Sequence, residues 1–82
     1  MIENLTFAAI HEMPPGRQFQ TRQLYKAWRK IDPEKCDRIS TPDFERKYPH
    51  DEKYKNVIRF AILRAKKLGW IRQIRRGLWE RV

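Results

Sequence analysis

The stretch of sequence that decides the fold is DEKYKNVIRFAILRAKKLGWIRQIRRGLWERV, residues 51–82. Its first half predicts one long helix from Asp51 to Leu68, because apolar residues recur there at steps of three and four. Asp51 is the predicted N-cap, and Gly69 is the predicted left-handed residue that ends the helix. The apolar stripe comprises Tyr54, Val57, Ile58, Ala61, Ile62, Ala65 and Leu68. The opposite face carries Lys55, Asn56, Arg59, Leu63, Lys66 and Lys67.

The second half of the stretch predicts a β-hairpin from Trp70 to Val82. Its loop is Arg75-Arg76-Gly77, in which Gly77 stands where a three-residue hairpin loop needs a left-handed residue. The register that follows sets Arg72 opposite Glu80, Gln73 opposite Trp79 and Trp70 opposite Val82. One face of the hairpin carries Ile71 and Trp79, and the other carries Trp70, Ile74, Leu78 and Val82. Alternation by itself leaves open which of the two faces is buried.

The N-terminal part of the chain predicts two more helices and a short strand. A first helix runs from Ile2 to Met13 and ends at Pro14-Pro15-Gly16. Gln18-Phe19-Gln20 follows as a short strand that pairs with the hairpin, and Thr21 is the predicted N-cap of a second helix, Arg22 to Ile31. The predicted buried stripes are Ile2, Leu5, Ala9 and Met13 in the first helix and Leu24, Ala27, Trp28 and Ile31 in the second. The solvated side of the second helix carries Arg22, Lys26, Arg29 and Lys30.

The connection from residue 32 to residue 50 is polar, and Asp32-Pro33 is expected to stop the second helix. We expect one short helix within it, with Thr41 as its cap and Pro42 as its first residue. Phe44 and Tyr48 are its predicted inward pair, because they are four residues apart. Cys36 is expected in a loop of this connection.

Charge is distributed unevenly along the 82 residues, whose net charge is +9. Residues 51–82 hold ten Lys or Arg against three Asp or Glu, a balance of +7. Residues 1–50 hold nine against seven, a balance of +2. An excess concentrated on one helix and one hairpin favours a polyanionic partner, although a solubilising face would carry the same charge. A chain of this length is expected to form one domain, residues 1–82.

The sequence offers little for catalysis or metal binding. A single cysteine rules out an intrachain disulfide and a cysteine-rich zinc site. His11, Cys36 and His50 lie 25 and 14 residues apart, which matches no compact metal signature. No glycine-rich phosphate loop, signal-peptide pattern or membrane-length apolar run occurs. We therefore expect no enzyme, no cofactor and no metal, and a cytoplasmic or nucleoid-associated location.

The order of elements resembles the winged helix-turn-helix family. The local likeness is greatest in Ala61-Ile62-Leu63-Arg64-Ala65-Lys66-Lys67-Leu68-Gly69-Trp70-Ile71 and in Arg75-Arg76-Gly77-Leu78-Trp79. The resemblance spans essentially the whole chain. It implies an α+β, mainly α fold: a three-helix winged helix with an extra short helix in the 32–50 connection and a C-terminal two-stranded wing. It also favours Ile71 and Trp79 as the buried face of the wing.

The same resemblance implies a DNA-binding module that acts as a transcriptional regulator. It would put the third helix, residues 51–68, in the major groove and the wing tip, residues 75–77, on the backbone or in the minor groove. Asn56 and Arg59 are then expected to contact bases, because amide and guanidinium groups pair with adenine and guanine edges. Phosphate contacts are expected from Lys53 and Lys55. The full set of expected DNA-binding residues is Thr21, Arg22, Lys53, Lys55, Asn56, Arg59, Arg72, Arg75 and Arg76.

Two other functions stay open from the sequence. Phe60 and Leu63 lie beside or on the basic face of the long helix, which suits a winged-helix module that binds an acidic, partly hydrophobic protein partner. RNA binding is less favoured, because the aromatic stacking motif of RNA-recognition domains does not occur. The sequence also leaves open whether the protein is a monomer or a dimer.

Overall fold

The computed structural model of this chain describes residues 2–82. Over those residues the fold is α+β and mainly helical, as the sequence predicts, with five helices and one three-stranded antiparallel sheet. In chain order the elements are α1 (Ile2–Glu12), β1 (Gln18–Gln20), α2 (Thr21–Ile31), α3 (Pro33–Arg38), α4 (Pro42–Lys47), α5 (Lys53–Lys67), β2 (Ile71–Arg75) and β3 (Leu78–Arg81).

The strand β3 is central in the sheet, because β1 and β2 both pair with it. This confirms the prediction that Gln18–Gln20 pairs with the hairpin. The predicted register is also confirmed, with Arg72 opposite Glu80 and Gln73 opposite Trp79. Because β1 directly precedes α2 and β3 is the last strand, their pairing holds the start of α2 next to the end of the chain.

The turn of the β2–β3 hairpin is shorter than the sequence predicts. Arg75 pairs with Leu78, so the prediction of a three-residue loop is wrong. Arg76 and Gly77 alone make the turn. The extra residue is taken up by a shift of register between Gln73 and Arg75, a bulge-like irregularity. Gly77 has a φ of 78°, so the left-handed conformation predicted for it is confirmed.

The core lies where α5 packs against α1 and the sheet. No surface is exposed at Ile10 of α1 or at Ile58, Ala61 and Ala65 of α5. The small side chains of the two alanines let the helices pack closely. Of the two hairpin faces, the one carrying Ile71 and Trp79 is buried. The other face stays more open, with Trp70 and Leu78 half-buried and Ile74 and Val82 exposed.

Some residues predicted to be buried are exposed, namely Leu5, Ala27, Ile31, Tyr48 and Leu68. In α1 the inward face follows a strict step of four through Ile2, Thr6 and Ile10, which turns Leu5 outward. Ile31 and Leu68 sit at the ends of their helices, where the prediction assumed a packing neighbour that the fold does not supply. Periodicity identifies a face of a helix only to within part of a turn.

Thr6 occupies a core position that an apolar stripe would not include. Its hydroxyl donates to the carbonyl of Ile2 at 2.7 Å and accepts from Nε1 of Trp28 at 3.2 Å. Both polar groups are therefore satisfied in a fully buried place, which removes the penalty of an unpaired indole N–H. This bond ties α1 to α2 and fixes the predicted core position of Trp28.

The connection between α2 and α5 contains two helices, α3 and α4, where one was predicted. The helix capped by Thr41 and starting at Pro42 is confirmed, since the Thr41 hydroxyl accepts from the amide of Phe44 at 3.2 Å. The missed helix begins at Pro33, and the Asp32 carboxylate accepts from the amide of Lys35. Asp-Pro both ends one helix and begins the next, because proline disfavours a helical residue before it and suits a first helical position. Cys36 is consequently a buried helix residue, and its expected loop location is wrong.

Two predicted helix starts are shifted. Thr21 is the first residue of α2, and Gln20 is the N-cap, with its amide donating to Oε1 of Gln23 at 2.8 Å. The long helix α5 spans residues 53–67, where 51–68 was predicted, and it is the fifth helix of the chain. The N-cap residue is Glu52, whose backbone is extended and whose side chain makes no capping bond, so the prediction of Asp51 as the N-cap is wrong. No helix within residues 2–82 has the length and apolar character needed to cross a membrane.

Candidate nucleic-acid interface

A groove runs between the start of α2, the middle of α5 and the β2–β3 turn. Its volume is about 650 Å³, and we call it the arginine groove because four arginines line it: Arg22, Arg59, Arg75 and Arg76. Ile62, Leu78 and Trp79 are among its apolar lining residues. The fold creates this groove by tying β1 to β3, which draws the start of α2 beside the hairpin turn.

Thr21 holds the corner where α2 meets the hairpin. Its amide donates to the carbonyl of Gly77 at 3.0 Å, and its hydroxyl accepts from Nε1 of Trp79 at 3.0 Å. The amide is therefore not open to a ligand at this helix start, whereas the hydroxyl hydrogen has no acceptor among residues 2–82. Thr21 lines the arginine groove, but its hydrogen bonds to Gly77 and Trp79 hold α2 against the hairpin.

Arg59 is the best-anchored cation of the groove. Its guanidinium forms an ion pair with Asp51 and donates to the hydroxyl of Tyr25 at 3.3 Å. Burial opposes the charged form, but the hydrogen bonds to Tyr25 and Asp51 raise the pKa of Arg59 overall. The side chain keeps 40% of its surface exposed, so a fixed positive charge faces the groove.

Arg75 and Arg76 are exposed at the hairpin turn and take part in no ion pair within residues 2–82. They line the same groove as Arg59 and Arg22. Arginines of α5 and of the hairpin end therefore face a common groove. Five of the nine predicted residues meet here: Thr21, Arg22, Arg59, Arg75 and Arg76.

The other four predicted residues lie outside the arginine groove. The ammonium of Lys53 sits 4.8 Å from the ring centroid of Phe44, on the α4 side of α5. Arg72 is paired with Glu80 across the hairpin at 2.6 Å. Asn56 is half-buried near the start of α5. Lys55 faces a neighbouring depression, which is described next.

A second, smaller depression adjoins the arginine groove on the α2 side. It has a volume of about 370 Å³, and it shares Arg22 and Tyr25 with the groove. Its other lining residues are Lys26, Arg29, Lys30, Tyr54 and Lys55. The sequence predicts a solvated side for Lys26, Arg29 and Lys30, and the expected DNA-binding set does not include them. Their spacing of three and four residues along α2 is the sequence feature that indicates a shared basic side next to Arg22.

Some of these cations form ion pairs with carboxylates that do not line the depressions. Within residues 2–82, neither lining includes a carboxylate. Asp37 pairs with Arg29, and Glu52 lies 3.0 Å from the ammonium of Lys55. The hydrogen bond to Glu52 raises the pKa of Lys55, so its charge persists through the neutral range. The two depressions share Arg22 and Tyr25, so their cationic linings are continuous.

The residues considered for metal binding do not meet. Over residues 2–82, no group of three or more His, Cys, Asp or Glu side chains is arranged to hold a metal ion. The His11 ring lies 4.0 Å from that of Trp70, centroid to centroid. Cys36 is buried, and that burial raises the pKa of its thiol.

Two large apolar side chains of α5 are open to solvent. Phe60 is 65% exposed and Leu63 is 52% exposed. Leu63 also lines the arginine groove. The predicted exposure of this pair is therefore confirmed.

No protein-family model, no curated protein and no solved structure matches this chain. Its function is accordingly argued from its own residues.

Proposed function

We propose that this chain is a winged helix-turn-helix module that binds double-stranded DNA as a transcriptional regulator and is not an enzyme. In this proposal α5 enters the major groove, and the β2–β3 turn reaches the backbone or the minor groove. The observation that carries the proposal is that Arg59 on α5, Arg75 at the end of β2 and Arg76 in the turn line one groove. A duplex lying over that groove would contact both elements together.

Charge and size support a duplex as the ligand. The chain carries a net charge of +9, and no carboxylate among residues 2–82 lines the two depressions. The helix α5 has 15 residues, so it is about 22 Å long. The major groove is about 12 Å wide and admits an α-helix. Phosphate neutralisation by Lys and Arg is the main source of affinity in such complexes.

The expected roles differ among the residues of α5. Asn56 is the expected base-reading residue, because an amide pairs with adenine through two hydrogen bonds. Arg59 already binds Asp51 and Tyr25, which leaves its guanidinium better suited to a fixed phosphate contact than to a two-point contact with guanine. Lys53 and Lys55 are expected to contact phosphates.

A salt titration tests the proposal directly. If about six phosphates are neutralised, the logarithm of the association constant for a mixed-sequence duplex should fall linearly with the logarithm of the salt concentration, with a slope of about −5. The affinity is measured by fluorescence anisotropy at several salt concentrations. Absence of binding at low salt, or a flat response to salt, would end the proposal.

The hairpin turn provides the variant for this titration. Arg75→Ala with Arg76→Ala should weaken binding to all sequences alike and reduce the slope by about 1.8, because two phosphate contacts are lost. Lys35→Ala with Arg38→Ala is the matched control, since it also removes two exposed charges but lines neither depression. Equal slopes for the two variants would show that the turn does not contact DNA.

A second function has support from one observation, the exposure of Phe60 and Leu63. Such side chains on a basic helix suit an acidic partner protein with apolar anchors. This function would be favoured if the chain failed to bind duplex DNA at low salt and instead bound an acidic protein in a manner that Phe60→Ser and Leu63→Ser abolish.

A further inference from the structure

The basic side of α2 extends beyond the arginine groove, which includes only its first cation, Arg22. We call it the α2 ridge and define it as Arg22, Lys26, Arg29 and Lys30. These residues follow steps of three and four, so they share one side of the helix, and all four are exposed. No acidic residue occurs in the first turn of α2.

The α2 ridge is continuous with the arginine groove. All four ridge residues line the second depression, and Arg22 lines both depressions. Tyr25 stands between the two. Its hydroxyl accepts from Arg59, and its ring lies 5.5 Å from the ammonium of Lys55. Tyr25 therefore holds Arg59 and Lys55 of α5 beside α2, while each of these cations is also paired with a carboxylate.

This arrangement brings like charges together. Arg22 and Lys26, and likewise Lys26 and Lys30, are four residues apart on one helix, a spacing at which like charges repel. Lys26 and Lys30 form no ion pair within residues 2–82. A polyanion bound over the ridge relieves this repulsion.

We propose that the sugar-phosphate backbone of the same duplex continues from the arginine groove across the α2 ridge, which becomes a second phosphate-binding surface. This inference rests on the proposed DNA-binding function. From Arg22 to Lys30 the helix rises about 12 Å. Along the duplex axis one DNA strand presents a phosphate about every 3.4 Å, so a ridge lying parallel to that axis spans about three to four phosphates. The ridge is thus long enough to engage several successive phosphates.

The test removes two ridge charges that form no ion pair within residues 2–82 and lie outside the arginine groove, with Lys26→Gln and Lys30→Gln. The measurement is the affinity for a mixed-sequence duplex of about 25 base pairs, long enough to cover both surfaces, between 50 mM and 300 mM salt. We expect the salt slope to decrease by about 1.8 and the affinity to fall about 60-fold at 0.1 M salt, equally for all sequences. Lys35→Gln with Arg38→Gln is the control with the same loss of charge, and we expect its slope to stay close to that of the wild type.

The outcomes separate this inference from the proposed function. If the ridge variant and the control have the same slope while Arg75→Ala with Arg76→Ala still reduces it, the ridge proposal is overturned and DNA binding stands. If the wild-type chain does not bind duplex DNA at low salt, both are overturned. Circular dichroism of each variant checks that α2 remains folded.

Discussion

Arg59 illustrates how a single contact changes the meaning of a residue. From its place on the basic face it is a base-reading candidate, because guanidinium pairs with guanine through two hydrogen bonds. In the folded chain its guanidinium is already engaged with Asp51 and with the Tyr25 hydroxyl. Reading a base would require those bonds to be replaced, whereas a phosphate needs only a charge held in place.

Asn56 therefore becomes the residue on which sequence preference should depend. We expect Asn56→Ala to relax preference at one base pair, with a loss of discrimination of about 1–3 kcal/mol there and little change in affinity for non-specific DNA. Selection of bound duplexes from a randomised pool, followed by competition between matched and mismatched sites, measures this.

The control for Asn56 is Lys67→Gln, an exposed residue at the C-terminal end of the same helix. It should lower affinity through lost charge, if it has any effect, and leave the selected sequence unchanged. Recovery of the same preferred sequence by Asn56→Ala and by the wild type would contradict the base-reading role.

At the scale of elements, the hairpin turn determines whether Arg75 and Arg76 reach the arginine groove. Gly77 has a φ of 78°, which disfavours residues with a Cβ atom. A Cβ added there meets no heavy atom within 4 Å, so a substitution has a conformational cost but no steric one. The turn is thus a place where backbone energy can be tested separately from packing.

We expect Gly77→Ala to lower the free energy of unfolding by about 1–2 kcal/mol, the cost of a left-handed alanine. Gly77→Asn should cost less, because asparagine tolerates that conformation. Urea denaturation followed by tryptophan fluorescence measures both. An alanine variant as stable as the wild type would mean that the turn adapts to another conformation.

At the scale of the whole molecule, two buried ionisable groups link stability to pH. Burial raises the pKa of the Cys36 thiol above its ordinary 9.0 and that of Tyr54 above its ordinary 10.0. The unfolded chain releases these protons at lower pH than the folded chain does. The contribution of these two groups to stability is therefore fully present below their ordinary pKa values and is lost as the pH rises through the raised ones.

We expect the free energy of unfolding to decrease between pH 8.5 and 10.5, by at most about 1.4 kcal/mol per pH unit for each group. Cys36→Ala with Tyr54→Phe should flatten this decrease, because neither replacement ionises. Urea denaturation at several pH values measures it. A decline equally steep in the double variant would assign the effect to other groups.

Several parts of the fold could be predicted because their causes are local in the sequence. The apolar stripe of α5, the left-handed Gly77 and the capping of α4 by Thr41 each depend on a few neighbouring residues. The sequence prediction misses α3 for a local reason as well, because it uses Asp32-Pro33 only as the end of the second helix and not as the start of the next. The exposure of Leu5 and Ile31 could not be predicted, because it depends on which elements lie beside them.

The candidate site divides in the same way. The residue types, the concentration of charge in residues 51–82 and the turn that presents Arg75 and Arg76 follow from the chain itself. That Arg22, Arg59 and the turn share one groove, and that Tyr25 joins this groove to the basic side of α2, depends on contacts between distant segments.

The sequence by itself determined the kinds of element and the positive charge they carry, because periodicity, turn residues and caps act over a few positions. Only the tertiary structure decided how those charges are grouped. The pairing of β1 with β3, and the bonds of Thr21 to Gly77 and Trp79, draw α2 beside the hairpin turn. Bonds across so many residues have no local signature, because they depend on where the whole chain closes on itself.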